Sequence, residues 1–299
     1  MNPQDFVHLH VHSHYSLLEA LPSPKALVQR AKEQGMSAIA LSDNGAMYGA
    51  VEFYQACEKE EIKPIIALDM YLAQNRMTDK RPRVDDKQHR IVLIALNDTG
   101  YKNLMKISSA GFLEGFYYKP RIDKEFLREH SEGLVALSGN MRGEIPATIS
   151  VHNEPKAREL VLEYQEIFGK ENFFLELVHR PDNDQQVDMN EALKKLARET
   201  DCQMVVTKDS FYLDPDDREG YEAQLCIMRG RTLEEFRQTN TNDSDLSFGT
   251  PEEIIEYFKD VPEALENTKK IADWVDFTMD LGHNYLPIFP MPEGKTDEA

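Results

Sequence analysis

Four histidines stand at alternate positions near the amino terminus, in the stretch FVHLHVHSHYSLLEA. They are His8, His10, His12 and His14. On a β-strand, side chains repeat every two residues, so an H-x-H pair presents two imidazoles on one face, whereas a helix would scatter them. Two neutral imidazoles on one face are a common beginning of a zinc, manganese or iron site. The alternative is that near-surface histidines simply end a strand, so a metal site needs partners from elsewhere.

Polar side chains that can bind ligands recur where the other predicted strands end. They are Asp43, Asn44, Asp69, Ser138, Asn140, Glu176, His179, Lys208 and Asp209. In parallel α/β folds, functional residues collect at the carboxyl ends of the strands. Asp69 interrupts the apolar run PIIALDMYLA, and a carboxylate buried there needs a partner because an unpaired charge is costly to bury. A salt bridge or a helix cap would also satisfy Asp69.

The elements that would position these residues alternate between short apolar runs and amphipathic helical stretches. The strand candidates begin at residues 6, 37, 63, 90, 133, 172 and 203. This rhythm predicts parallel strands with crossover helices, in an open sheet or a barrel. Cap residues mark two of the helices: Ser23 and Pro24 begin one that ends before Gly35, and Thr250 begins another.

The composition limits the possible partners. The chain has 34 basic and 53 acidic residues and a net charge of −19, which disfavours non-specific binding to nucleic acid but suits a protein partner or bound cations. Three cysteines without C-x-x-C spacing are typical of a reducing cytosol. No apolar run approaches the ~20 residues that span a membrane, and the start MNPQDF is unlike a signal peptide. We therefore expect a soluble, cytoplasmic protein that does not bind a membrane.

Two polar stretches break the rhythm, and the chain ends in a third. Residues 76–89 are charged and predict a solvated loop, while residues 237–247 are rich in Asn and Ser and predict a mobile loop. We expect one domain over 1–282, with a helical extension at about 215–275. The proline-rich residues 283–299 predict a linker cut from something larger.

Several segments together resemble a known family. They are HLHVHSHYSLLEA, LSDNGAMYGAVEFYQAC, IKPIIALDMYLA, TGYKNLMKISSAGFLEGFYYKPRID, LREHSEGLVALSGNMRGEIP and LPIFPMPEG. They resemble the PHP (polymerase and histidinol phosphatase) domain, in the version at the N-terminus of the bacterial replicative DNA polymerase III alpha subunit, over residues 5–295. The resemblance implies an α/β fold, a distorted seven-stranded (β/α) barrel. It also implies that the tail leads toward an absent polymerase palm, so the carboxylates of nucleotidyl transfer would lie beyond residue 299.

The metal-site pattern of this family carries over unequally. The positions that keep the family's residue are His10, His12 and Asp209. The positions that hold an altered acid are Glu19 and Asp69. The positions that have lost their ligand are Asn44, Arg90, Asn140 and Phe211. In the family's arrangement, His10, His12, Asp69 and Asp209 map onto ligands of one ion. The resemblance therefore implies a degenerate site with one zinc or manganese ion as a candidate, and no ion or partial occupancy as the preferred state.

The four losses argue against hydrolysis by a metal cluster. Such chemistry needs ions ~3.5–4 Å apart, one generating hydroxide and the other holding the leaving oxygen. Asn is a poor zinc ligand, Phe is none, and Arg places a permanent cation where an ion would lie. Arg90, helped by Lys208, could neutralise Asp69, Asp209 and Glu19 without metal. We prefer this charge-replacement hypothesis.

The resemblance leads to two main functional hypotheses. The first is a non-catalytic domain of a DNA-directed DNA polymerase (a nucleotidyltransferase of DNA replication), which braces the rest of the polymerase chain, docks the proofreading exonuclease subunit and meets DNA only through the full-length enzyme. The second is a metal-dependent 3′–5′ exonuclease or phosphoesterase acting in proofreading. A free-standing phosphatase is disfavoured by FYYKPRID and the tail.

The stretch FYYKPR, residues 116–121, mixes aromatic and cationic side chains. Such a mixture could bind nucleic acid by stacking and phosphate contacts. In a chain with a net charge of −19 we favour the alternative, that these residues pack a loop or contact a neighbouring polymerase domain.

Overall fold

The computed structural model describes residues 1–239 and 244–283, so the expected linker lies almost wholly outside the described residues. The strands are β1 (Ala38–Leu41), β2 (Lys63–Ala73), β3 (Gln88–Ala95), β4 (Arg121–Ile122), β5 (Leu134–Leu137), β6 (Phe173–Val178) and β7 (Gln203–Thr207). The helices are α1 (Pro24–Glu33), α2 (Ala50–Glu60), α3 (Asp98–Leu113), α4 (Lys124–Glu129), α5 (Glu144–Ser150), α6 (Glu154–Phe168), α7 (Asp184–Thr200), α8 (Arg218–Arg229), α9 (Leu233–Thr239), α10 (Pro251–Tyr257) and α11 (Pro262–Trp274).

The strands form one sheet in the order β1-β2-β3-β5-β6-β7, and β4 pairs with β2. Pairing is parallel except at β3, which runs antiparallel to both β2 and β5. The expectation of parallel strands was therefore wrong at β3. The physical reason is the connection, because residues 74–87 contain no helix to carry the chain back across the sheet.

The first predicted strand, from residue 6, does not form a regular ladder. Its backbone is divided between two neighbours: Ala40 N donates to His8 O across 2.9 Å, and Ser210 N donates to His10 O across 3.3 Å. Val11 alone forms a bridge, with Ser210. Because two partners share these bonds, neither receives a continuous ladder. The segment nevertheless joins β1 to the chain after β7, which gives the distorted (β/α) barrel that was predicted.

The predicted helix caps are confirmed. Ser23 Oγ accepts a hydrogen bond from Ala26 N, and Pro24 is the first residue of α1. Thr250 caps α10 in a reciprocal box with Glu253. These local signals fix where the helices begin without help from the rest of the fold.

The barrel interior is apolar at one end and polar at the other. One face of the strands packs against α11 in a cluster that includes Ala67, Val92, Ile94, Val205 and Ile271. Because strand side chains alternate, the same face continues along β2, β3, β6 and β7 into a polar set. That set is Asp69, Arg90, Glu176 and Thr207, each of them buried.

Helices α8 to α11 occupy the residues expected to form an extension, 215–275. Of the expected mobile loop, residues 237–239 end α9, residues 240–243 lie outside the described residues, and Ser247 forms a bridge with Tyr212. The domain boundaries stay predictions. Across the described residues, no helix has both the length and the apolar character that crossing a membrane requires.

Candidate metal centre and its ion pairs

His10 and His12 lie side by side at the polar end of the barrel, and both are fully buried. His10 Nε2 is 3.3 Å from Asp69 Oδ2 and 3.6 Å from Asp209 Oδ1. His12 Nε2 is 3.4 Å from the same Asp69 oxygen. The structure therefore brings together the four residues that the resemblance assigns to one ion. Burial opposes the charged form of His10, but Glu176 and Asp209 raise its pKa well above the usual value.

Asp69 forms a two-point ion pair with Arg90. Arg90 Nε donates to Asp69 Oδ1 across 3.0 Å and Nη2 donates to Oδ2 across 2.5 Å. Burial alone would raise the pKa of Asp69, but the Arg90 charge and the adjacent His10 and His12 rings hold it well below its usual range. Arg90 also donates to Asn44 and stacks over the Tyr71 ring, 4.1 Å from its centroid. Arg90 thus fills space next to the ion site with a permanent charge.

Asp209 has its own cation, which the sequence did not suggest. Arg180 Nη2 donates to Asp209 Oδ2 across 2.8 Å, and Asn140 Nδ2 donates to the same oxygen across 2.6 Å. Burial opposes ionisation of Asp209, but His10, Arg180 and His12 lower its pKa. Asn140, where the resemblance implied a lost ligand, therefore donates a hydrogen bond to Asp209.

Glu19 is neutralised by Lys119, from the FYYKPR stretch. Lys119 Nζ is 2.6 Å from Glu19 Oε1, and Asn44 Nδ2 donates to Glu19 Oε2 across 2.9 Å. The loop that carries Glu19 is held by Asp43, whose carboxylate accepts hydrogen bonds from Ser13 Oγ and Ser16 Oγ, each across 2.7 Å. Asp43 is therefore a structural residue of the rim.

Lys208 lies elsewhere and does not act as expected. Its ammonium, which is buried, pairs with Asp245 Oδ2 at 3.1 Å, and the described residues show no Lys208 ion pair with Asp69, Asp209 or Glu19. The physical reason is the segment after residue 243, which brings Asp245 beside Lys208 as it runs along residues 210–213. The charge replacement therefore uses Arg90, Lys119 and Arg180.

Phe211 covers one face of the centre. Its ring stacks on the His12 ring, with centroids 4.3 Å apart and an interplanar angle of 6°. Tyr221 packs on Phe211 at 5.8 Å, so the aromatic cover is two rings deep. His12 is 0% exposed and Asp209 is 2% exposed. The two rings therefore shield this face of His12 from solvent.

Three other histidines, two from the opening stretch and His179, have different surroundings. His8 is buried against Phe248, and burial is the main cause that lowers its pKa to about 3. His14 is exposed and contacts the Tyr15 ring. His179 lies beyond the end of β6 and packs against Tyr257. None of the three joins the cluster of candidate metal ligands found among the described residues.

Two side chains of the FYYKPR stretch, Tyr117 and Arg121, pack against a neighbouring loop. Arg121 is fully buried and donates to the backbone carbonyls of Gly115, Met77, Asp79 and Asp85. Tyr117 lies over the Arg121 guanidinium at 5.1 Å. Phe116, at 48%, and Tyr118, at 69%, are the exposed members.

The donor set fits one ion and does not fit a cluster. His10, His12 and Asp209 offer ligand atoms within 4.8 Å of one another. Two buried atoms of this group, His12 Nε2 and Asp209 Oδ1, have no hydrogen-bond partner among the described residues, as expected where a ligand position is kept. Two imidazoles and a carboxylate suit zinc or manganese. The guanidiniums of Arg90 and Arg180 exclude further cations nearby.

Sequence reasoning missed Arg180, Lys119 and the role of Glu176. Glu176 Oε1 lies 2.6 Å from His10 Nδ1. The sequence did contain a signal for Glu176, because it is an acid inside the apolar run FFLELV, just as Asp69 is an acid inside PIIALDMYLA. Arg180 and Lys119 gave no signal, because each lies in a connection after a strand or a helix, where charged residues are ordinary.

The barrel, the buried histidine pair and the rim acids together define a class of α/β-barrel protein with a candidate metal centre at one end of the barrel. A family model described as "PHP domain" matches residues 8–180 of the 299, and the chain belongs to that family.

Three curated relatives that the chain resembles carry the name DNA polymerase III subunit alpha. The protein of Helicobacter pylori strain J99 is 38% identical over 287 residues, which cover 92% of this chain and 23% of the relative. Those of Borreliella burgdorferi and Aquifex aeolicus are 37% and 35% identical, covering 96% and 99% of this chain and 25% and 26% of each relative. The chain thus spans about a quarter of the length of these relatives.

Among solved structures, an amidohydrolase from Chromobacterium violaceum with bound sulfate and no metal aligns with a TM-score of 0.45 and 13% identity. The alignment covers 73% of this chain and 96% of that one.

Proposed function

We propose that this chain is the N-terminal PHP domain of a bacterial replicative DNA polymerase and acts as a structural, non-hydrolytic part of it. The support is that relatives named DNA polymerase III subunit alpha align with 92–99% of the chain at 35–38% identity. The nucleotidyl transfer of such an enzyme would come from residues outside this chain. The proposed setting is the bacterial cytoplasm, with DNA met only through the full polymerase.

The ion pair between Asp69 and Arg90 carries the non-hydrolytic part of the proposal. A buried carboxylate needs compensation, and a bidentate guanidinium supplies it with fixed geometry. Lys119 and Arg180 do the same for Glu19 and Asp209. Each acid of the rim that once could ligate a metal is therefore balanced by a cation of the protein itself.

Hydrolysis would need features that this site does not offer. Phosphodiester cleavage by paired ions requires a second cation about 4 Å from the first, in contact with the substrate. The guanidinium of Arg90 is paired with Asp69 beside the candidate ligands, and the stacked Phe211 ring covers one face of His12. We therefore propose that the barrel serves stability and docking rather than catalysis.

A single ion is compatible with this role. His10, His12 and Asp209 would hold zinc or manganese, which would add one further cross-link between the N-terminal segment and the end of β7. The protein cations make that ion dispensable, so we propose that the domain folds without it and binds one ion with partial occupancy.

Elemental analysis tests the metal content. Protein purified without chelator should contain less than one zinc, manganese or iron per chain, and His12→Ala should remove whatever is present. One full equivalent that is lost in His12→Ala, together with loss of the fold, would overturn the charge-replacement proposal.

The unpaired atoms His12 Nε2 and Asp209 Oδ1 favour, as a second candidate, a metal-dependent exonuclease or phosphoesterase. Release of nucleotides from single-stranded DNA by manganese-supplemented protein, compared with Asp209→Ala, tests it directly. We expect equal release from both proteins, and a clear excess from the wild type would establish the enzyme.

We also propose that the domain docks the proofreading exonuclease subunit and braces the remaining polymerase chain. Exposed aromatic side chains, Phe116 and Tyr118 among them, support a role in protein contacts. Full-length polymerase should co-elute with the exonuclease subunit, and deletion of residues 1–282 should abolish this. Unchanged co-elution after the deletion would contradict docking through this domain.

A further inference from the structure

Glu176 is a fully buried carboxylate in β6 with two short contacts. Its Oε1 lies 2.6 Å from His10 Nδ1 and accepts a hydrogen bond from Thr207 Oγ1, also at 2.6 Å. Its neighbours along the strand are apolar and equally buried. Burying a carboxylate in such surroundings is costly unless its hydrogen bonds offset the lost hydration. The contact with His10 is one of the two that offset this cost.

The Glu176 carboxylate is held on a rigid support. Its backbone N–H donates to Ser138 Oγ across 2.9 Å, which ties β6 to the end of β5. Thr207, which positions the carboxylate, lies at the end of β7, and β7 is paired in register with β6 at Val178. The backbone that carries the carboxylate and the hydroxyl that donates to it are therefore both held by paired strands.

This contact decides which nitrogen of His10 faces the candidate ion site. Because Nδ1 is engaged by Glu176, Nε2 is directed toward Asp69 and Asp209, at 3.3 and 3.6 Å. A ring rotated by 180° would turn Nδ1 away from its only carboxylate on that side and would remove Nε2 from the site. The orientation of His10 is thus set by a residue that does not itself enter the site.

His12 is oriented in the same sense by a different acceptor. Its Nδ1 lies 3.3 Å from the backbone carbonyl of Ser210 and 3.4 Å from Asp209 Oδ1, and its Nε2 lies 3.4 Å from Asp69 Oδ2. Both rings therefore present Nε2 toward Asp69. An acceptor that fixes the far nitrogen of a ligating histidine is the usual second layer of a metal site.

We infer that Glu176 is a positioning residue, which fixes the His10 ring so that Nε2 is presented to a divalent transition-metal ion. The inference rests on the single-ion site proposed above and extends it to a residue outside the ligand set. Thr207 supports Glu176 in this role through its hydroxyl. Glu176 contacts neither substrate nor ion.

Cobalt(II) titration, followed by its visible absorption, tests the inference on the full 299-residue chain. Glu176→Gln should bind Co²⁺ about 10- to 100-fold more weakly than the wild type. Glu171→Gln is the matched control, because Glu171 is exposed at the other end of β6, and it should bind as the wild type does. Equal affinity in Glu176→Gln and wild type would overturn the inference.

A readout without metal separates this inference from the single-ion proposal. In ¹⁵N-histidine NMR spectra of the metal-free chain, the His10 Nδ1 proton should be protected and shifted downfield by the carboxylate, and Glu176→Gln should lose that signal. Thr207→Val, which keeps the carboxylate, should shift the signal and provides the test if Glu176→Gln does not fold. If the wild type binds no Co²⁺ the single-ion proposal fails, while an unchanged Nδ1 signal in both variants overturns the positioning role.

Discussion

Arg90 and Asp69 meet in the barrel interior through two parallel hydrogen bonds, from Nε to Oδ1 at 3.0 Å and from Nη2 to Oδ2 at 2.5 Å. Arg90 is 4% exposed and Asp69 is 1% exposed. The resemblance of the sequence implied a metal-ligand position at each of these two residues. The guanidinium of Arg90 therefore balances the charge of the buried Asp69 carboxylate.

Arg90→Met should destabilise the fold strongly, because it leaves the Asp69 carboxylate buried without its main partner. The free energy of unfolding, measured by urea denaturation, should fall by roughly 3–5 kcal/mol. Arg76→Met, at an exposed position, is the control and should change it by less than about 0.5 kcal/mol. A loss below about 1 kcal/mol in Arg90→Met would show that Asp69 is balanced in another way.

Glu19 and Lys119 should show a measurable coupling energy. The two residues are 100 positions apart, and their charged atoms lie 2.6 Å from each other in a half-buried rim. A double-mutant cycle with Glu19→Gln and Lys119→Met should give about 0.5–1 kcal/mol. The exposed pair Lys156–Glu159 is the reference and should give about 0.3 kcal/mol or less. Equal coupling in the two pairs would mean that the rim ion pair is only a surface contact.

His179 should make stability depend on pH between 6.5 and 4. Burial is the main cause that lowers its pKa from 6.5 to about 4, with Lys208 adding to the effect. The neutral ring therefore contributes stability that is fully present above pH 6.5 and is lost as pH falls toward 4. His179→Gln should remove roughly 3 kcal/mol of this decline in the free energy of unfolding. His152→Asn, at an exposed histidine, should leave the decline unchanged; the same slope in His179→Gln would refute the assignment.

Arg121 should hold the loop of residues 74–87 in place. Its guanidinium donates to the carbonyls of Met77, Asp79 and Asp85, which all lie in that loop. In Arg121→Ala these contacts are lost, and trypsin should cut within 74–87 roughly tenfold faster or more, because local opening costs less. Arg128→Ala, which removes a half-exposed side chain, should digest as the wild type does. Unchanged digestion of Arg121→Ala would show that the loop is ordered by other contacts.

The sequence predicted the frame of the molecule well, because the signals for it are local. Ser23 and Thr250 begin helices as expected, since a cap depends only on the next three residues. The orientation of β3 was not predictable from its own apolar pattern, which fits either direction. It follows instead from a connection that lacks a helix.

The candidate site was predictable only in part. The resemblance gathered His10, His12, Asp69 and Asp209, and the structure brings them together. Arg90 was expected to neutralise Asp69, but Lys119 and Arg180 were not expected at Glu19 and Asp209, because they come from connections whose path no periodicity specifies. Lys208, expected at the acids, instead pairs with Asp245.

Thermal unfolding with and without chelator tests the central claim most directly, that cations of the protein and not metal ions balance the buried acids. Dialysis of the 299-residue chain against EDTA should change Tm by less than about 3 °C, which corresponds to at most about 2 kcal/mol in a chain of this size. A fall of more than about 10 °C that added zinc or manganese restores would contradict the account, because it would mean that metal binding supplies several kcal/mol of the folding free energy.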